Sequence, residues 1–230
     1  MKKIRPGLHQ LSLGVAHAFL LCHRDDLVLI DAGPADESDL LLSTLRTEGI
    51  ILSDIDHIVV THSHQDHAGG LRAVQEATDA ETWMHPADAA LVEEGRARRD
   101  WSVTPHPFQH VLYWLFVHGV PETVPATTVD HEVDDGDVIP VAGGLKVVHV
   151  PGHCAGQIAL VWPQHGGVLF AADAGLSLLG RPLRSVVYED LAQGREDLRR
   201  LGTLDVDTAV FGHGAPILQN AAERFRNAFS

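Results

Sequence analysis

Residues 59–70 read VVTHSHQDHAGG and place three histidines and an aspartate within six positions, between an apolar run and two glycines. An imidazole is costly in a packed interior unless its ring nitrogens find partners. A chain that gathers several at one point either leaves them in water or closes them around a common centre. Ile58, Val59 and Val60 before the cluster read as a buried strand, and GGLRAVQEATDA after it reads as a helix. The cluster therefore occupies a strand-to-helix turn. His62 and His64 stand two apart just past the strand, where extended chain points both to one side. Asp66 and His67 fall where the chain is turning and reach a second point. Neutral imidazole and carboxylate suit zinc, and also iron or manganese.

Two ligands per metal are too few, and three more candidates stand at the ends of apolar strands. They are His153 in VVHVPGHCAG, Asp173 in GVLFAADAG and His213 in TAVFGHGAP. Each has glycine or another small residue beside it, which lets backbone and ligand approach closely. Ligands at the same end of neighbouring strands converge on one rim.

The rest of the chain supplies the scaffold. LHQLSL, AHAFLLC and LVLIDAG are short apolar runs, the last two joined by a hairpin turn at HRDD. DESDLLLSTLRTEGI has helical spacing, with a stripe of Leu40, Leu41 and Leu45, Ser38 or Asp36 as cap, and Gly49 as terminator. ETWMH reads as a short strand and PADAALVEEGRARR as a helix opened by Pro86. VIPVAGGLKVVHV reads as two strands about a glycine turn, and QIALVW pairs with GVLFAAD around PQHGG. EDLAQGREDLRRLGTL and NAAERFRNAF are helices. Residues 100–127 break the rhythm with four prolines and five aromatic residues, and read as an irregular insertion holding one helix. No repeat, low-complexity tract or linker divides residues 1–230, so a single domain is expected. Strands followed by strand–helix alternation, twice over, predict two sheets covered by helices.

A net charge of -14 excludes a phosphate-backbone binder, which needs clustered Lys and Arg. The longest strongly apolar run, VLYWLFV at 111–117, is too short to span a bilayer, so neither nucleic acid nor membrane is expected as partner. The opening MKK is followed by Pro6, Gly7 and His9 and does not read as a secretory signal. With only Cys22 and Cys154, a disulfide framework is not expected and the cytoplasm is the default location. Cys154, next to His153, reads as a small buried residue. The run at 111–117 must be covered by this chain, a second chain or a ligand; the insertion at 101–118 is the expected contact of a homodimer.

The pattern His-x-His-x-Asp-His, then Gly-His, then Asp after an apolar strand, then a late Gly-His, resembles the metallo-β-lactamase-fold hydrolase superfamily from LIDAGP to FGHG. The resemblance implies an α+β fold, a four-layer αββα sandwich with two mixed β-sheets flanked by helices. It also implies one divalent metal on His62, His64 and His153, a second on Asp66, His67 and His213, and Asp173 bridging them. Zinc is expected first, with iron or manganese as alternatives. Asp66 is the expected catalytic residue, orienting the nucleophile and moving a proton, and Asp31 is expected to fix a ligand histidine. Two cations about 3.5–4 Å apart would generate a bridging hydroxide near neutral pH and polarise a carbonyl. A bridging aspartate resembles the glyoxalase II and lactonase-like branches more than the true β-lactamases. The expected substrate is a small ester, thioester or lactone, with Tyr188, Arg184, Tyr113, Trp114 and Phe116 as candidate contacts. His85, His106, His110 and His118 are expected to flank the pocket. A single-iron persulfide dioxygenase of the same fold and a non-catalytic metal-binding scaffold are the alternatives.

Overall fold

A computed structural model describes all 230 residues. Its first sheet has seven strands in the spatial order Lys2–Arg5, Leu8–Leu13, Ala16–His23, Asp26–Ile30, His57–Val59, Glu81–Met84 and His131–Glu132. The first four are antiparallel neighbours, and the rest join in parallel through helical crossovers. The second sheet runs Thr208–Val210, Val168–Phe170, Ile158–Trp162, Leu145–His149 and Val138–Ile139. Within it Val168–Phe170 is parallel to Thr208–Val210 and antiparallel to Ile158–Trp162.

The inner faces pack together through residues such as Phe19, Val28, Ile30, Leu160, Trp162 and Phe170. The ring of Phe19 in one sheet meets Phe170 in the other edge-to-face, centroids 5.6 Å apart, a geometry that adds quadrupolar attraction to burial. Trp162 is buried among them and its indole N–H donates to the Ala142 carbonyl. The outer face of the first sheet packs Leu20, Leu29 and Ile58 against Leu41, Leu45, Leu71 and Val74 of helices Ser38–Thr47 and Leu71–Thr78. The outer face of the second packs Val148, Leu169 and Ala209 against Leu198, Leu201 and Phe225 of helices Leu191–Leu201 and Ala221–Phe229. Three apolar layers therefore alternate with four structural ones, the expected αββα sandwich. No helix is long and apolar enough to cross a membrane.

Several local expectations need correction. In the first long helix the buried stripe is Leu41, Leu42 and Leu45, while Leu40 faces solvent. Neither Asp36 nor Ser38 caps it, because a tight turn over Ala35–Glu37 leads directly into the helix and Ser38 bonds back to the Ala35 carbonyl. The helix opened by Pro86 ends at Glu93, since Gly95 adopts a positive φ of 74°. The insertion holds a helix, Pro107–Leu112, that widens into a π-helical turn, Tyr113–Val117. Its apolar run is not covered by the chain: Val111, Trp114, Leu115 and Phe116 are all more than half exposed.

The sheets are also pinned to each other along one edge. The amide of Ile158 donates to the Thr61 carbonyl at 2.9 Å, and that of His17 to the Gly212 carbonyl at 2.9 Å. Phe170→Ala, which empties the contact between the sheets, is expected to lower the unfolding free energy by about 3–5 kcal/mol in urea titrations.

Candidate metal centre

Six strand ends meet along that pinned edge. Strand Asp26–Ile30 runs into Asp31, strand His57–Val59 into the 61–67 turn, and strand Leu145–His149 into His153. Strand Val168–Phe170 leads to Asp173 and strand Thr208–Val210 to His213. The sixth strand, Glu81–Met84, leads into the helix that carries Asp88. The seven side chains expected to hold metal come together here. Three groupings have ligand atoms mutually within 4.8 Å: His62, His64 and His153; His62, His67 and Asp173; and Asp66, His67 and His213.

The outer ring nitrogens show which atoms face the centre. The Thr61 hydroxyl donates to Asp31 Oδ2 at 2.9 Å, so it accepts from His62 Nδ1 at 3.0 Å. His67 Nδ1 donates to Asp31 Oδ2 at 2.8 Å. His153 Nδ1 donates to the Val187 carbonyl and His213 Nδ1 to the Val15 carbonyl, each at 2.9 Å. Four rings are thereby held with Nε2 turned inward, the arrangement by which outer partners orient metal-binding imidazoles. His64 is reversed, and its Nδ1 lies 3.0 Å from His153 Nε2. Two ligand atoms on one tetrahedral zinc, at about 2.0–2.1 Å each, would stand about 3.3 Å apart.

Buried Nε2 atoms of His62 and His67 and Oδ1 of Asp173 have no hydrogen-bond partner. Such orphans are expensive, and divalent cations at the centre would satisfy all three. The donor set of five imidazoles and two carboxylates fits divalent zinc, iron or manganese.

The charges divide the cluster. Burial pushes the His62, His64 and His153 imidazoles down, His64 to about 3, and neighbouring histidines add to the effect at His62 and His64. Burial opposes the proton on His67 too, but the carboxylates of Asp31, Asp173 and Asp66 outweigh it and raise that imidazole to about 9. His213 is raised well above its ordinary value by Asp173 and Asp66 against the same burial cost. Burial likewise opposes ionisation of Asp66 and Asp173, yet His67 and His213 hold both carboxyls well below the usual carboxylate range.

Backbone geometry permits this crowding at costly positions. Asp31 has a φ of 61° and Ala172, before Asp173, a φ of 46°; for alanine this is a strained conformation of the kind concentrated at functional sites. At Gly70 a Cβ would lie 2.4 Å from the Ala32 carbonyl, and at Gly212 it would lie 2.2 Å from Asp173 Oδ1.

Asp88 was not singled out by the sequence. Fully buried on helix Pro86–Glu93, it accepts from the Ser63 amide at 3.0 Å, the Gly156 amide at 3.0 Å and Cys154 Sγ at 3.1 Å. Arg99 completes the set at 2.9 Å. One carboxylate thus ties the His62–His64 turn to the His153 loop, and Cys154 is the small buried residue expected. The available signal was an acid two residues past a helix-opening proline, which more often is a first-turn dipole partner.

The cluster forms the floor of a cavity of about 360 Å³ whose walls include Trp101, Leu112, Phe116 and Val120. Of the expected substrate contacts only Phe116 lines it. Tyr188 is corrected to a structural residue: it is fully buried, and its hydroxyl donates to Ala174 O while accepting from Ser185 N. Arg184 opens onto a separate groove with Arg181 and Arg224, and Tyr113 and Trp114 stand outside the cavity. None of His85, His106, His110 and His118 lines it either; His85 caps its helix and stacks on His149, and His118 stacks on Trp114.

A sequence profile described as the metallo-beta-lactamase superfamily matches residues 11–213, and the chain belongs to that family. It is 29% identical over 212 residues to the probable metallo-hydrolase YqjP of Bacillus subtilis (84% of this chain, 65% of that protein). It is also 29% identical over 164 residues to a hydroxyacylglutathione hydrolase of Pseudomonas aeruginosa (68% and 46%). The chain spans 55% to 66% of the length of three of its curated relatives. A metallo-beta-lactamase structure from Cronobacter sakazakii, a mutant of its HARLDQ motif, shares the fold with a TM-score of 0.72 at 23% identity, covering 93% of this chain and 79% of that one.

Removing the Asp88 carboxylate leaves the buried Ser63 and Gly156 amides without their partner, while Arg99 keeps Glu189 and the Ala87 carbonyl. Asp88→Ala is expected to cost on the order of 3 kcal/mol of stability and to weaken zinc binding about 10–100-fold. Thermal denaturation and competition with a chromogenic chelator measure the two effects.

Proposed function

We propose that this protein is a dinuclear metal-dependent hydrolase acting on the carbonyl of a small ester, thioester or lactone. The observation that carries the reading is the set of inward-turned imidazole nitrogens left without partners around Asp173. Kinship with a probable metallo-hydrolase and a hydroxyacylglutathione hydrolase supports it. His62, His64 and His153 would hold one cation, Asp66, His67 and His213 the second, and Asp173 both. Divalent cations held there would lower the pKa of water toward neutrality and polarise a carbonyl oxygen.

The chain's own residues supply the rest. Asp66 and His213 are the most exposed members of the cluster, with side chains 30% and 26% exposed. Asp66 Oδ2 lies 3.2 Å from His213 Nε2, which fixes the carboxylate at the cavity floor. Held ionised, Asp66 orients the attacking water, takes its proton and returns it to the departing oxygen or sulfur. Asp31 and Thr61 hold the His62 and His67 rings in place while the reaction proceeds. The unpaired Cys22 and Cys154 support a cytoplasmic setting.

The presence of a full second set, Asp66, His67 and His213, favours two metals over one. Stripping metal with a chelator is expected to abolish ester hydrolysis, and titrating zinc back restores it with an end point at two ions per chain. Asp66→Asn is expected to lower kcat about 10²–10⁴-fold. An end point at one iron, with oxygen consumed on a persulfide, would replace this reading by the dioxygenase. His67 and His213 carry protons in the metal-free protein near neutrality, and a cation must displace them. Zinc affinity is therefore expected to tighten as pH rises toward 9, with proton release measured by calorimetry in buffers of different ionisation enthalpy.

A further inference from the structure

We propose that the substrate carries an uncharged apolar chain, seated between the metal-binding cluster and the helix–π-turn segment 107–121. The inference rests on the hydrolase reading and names the substrate class of that same site.

The cavity has two unlike ends. Its floor is His64, Asp66, His153, Asp173 and His213. Beyond those polar groups the lining is largely apolar, with Leu112, Phe116, Val117, Val120 and Pro121 from the insertion joined by Leu176 and Val186. A volume of about 360 Å³ is within the range of small-molecule sites, and its walls are mostly hydrophobic. The floor holds the reacting carbonyl, so the apolar wall receives what is attached to it.

Charge narrows the choice further. Arg98 is the one cationic Lys or Arg side chain in the lining. Its guanidinium is already taken, lying 4.1 Å from the centre of the Trp101 ring and paired with Glu122. A substrate with carboxylates, such as a glutathione thioester, would bury them here without a free counter-charge. An unbranched or aromatic acyl group meets no such penalty. The apolar run 111–117, which the chain leaves exposed, acquires a use on its inner side: Leu112, Phe116 and Val117 face the cavity, while Val111, Trp114 and Leu115 do not.

Two measurements test this on the zinc-loaded protein. Across p-nitrophenyl esters from acetate to decanoate, kcat/KM is expected to rise about fourfold per methylene until the cavity is filled, the equivalent of ~0.8 kcal/mol per buried CH₂. Phe116→Ser and Val120→Asn should flatten that slope, and Leu115→Ser, on the outer face, should leave it as it is. The second readout needs no turnover: n-alkanols from butanol to decanol displace Nile red from the protein with affinity that climbs with length, and Phe116→Ser removes the trend. Turnover with no dependence on length, and no displacement, overturns the apolar chain while the hydrolase stands. Displacement without turnover on any ester keeps the chain site and sinks the hydrolase reading. A stable dimer by light scattering that takes up no Nile red assigns the groove to a second copy and overturns the proposal.

Discussion

The Asp31 carboxylate is the point on which the histidine–aspartate cluster depends. It receives the Thr61 amide on one oxygen, and the Thr61 hydroxyl and His67 Nδ1 on the other. Through the Thr61 hydroxyl it also sets His62, because a hydroxyl that donates to a carboxylate can only accept from the imidazole. One buried acid thus decides which nitrogen of two rings faces the centre, and those rings belong to the two halves of the site. Its backbone at the strand end is left-handed, with a φ of 61°.

Around that point the architecture is a way of bringing strand ends together. The strands that end in His153, Asp173 and His213 run in one direction within the second sheet, so their loops emerge at one edge. The strands that end in Asp31 and the histidine turn run parallel in the first. Two backbone bonds between the sheets, at Thr61 and Gly212, bring these edges into register. Asp88 and Arg99 then clamp the loops from below. The apolar layers are built for ordinary reasons, and the buried imidazoles and carboxylates of the cluster gather at this one seam.

Much of this was legible in the residues. Alternating apolar runs and the spacing of His62, His64, Asp66 and His67 are local signals, and a strand followed by Gly-His reads as a ligand at a strand end. What was hidden depends on contacts distant in sequence. Leu40 and Leu42 are equally apolar, and only the angle at which the helix meets the sheet decides which is buried. Tyr188 has the chemistry of a substrate contact, yet Ala174 and Ser185 consume its hydroxyl in the core. Asp88 resembles any acid near a helix start until the Ser63 and Gly156 amides converge on it. Residues 113–117 widen into a π-helical turn that no periodicity announces.

The order of these pieces along the chain has a consequence for biosynthesis. His62 leaves the ribosome early, but His213 takes its place only when the strand Thr208–Val210 has docked beside Val168–Phe170. A nascent or nicked chain lacking that last parallel strand presents an incomplete ligand set and no seventh donor. Assembly of the Asp66, His67 and His213 grouping therefore waits on the docking of Thr208–Val210, whereas His62, His64 and His153 all come from segments that precede it.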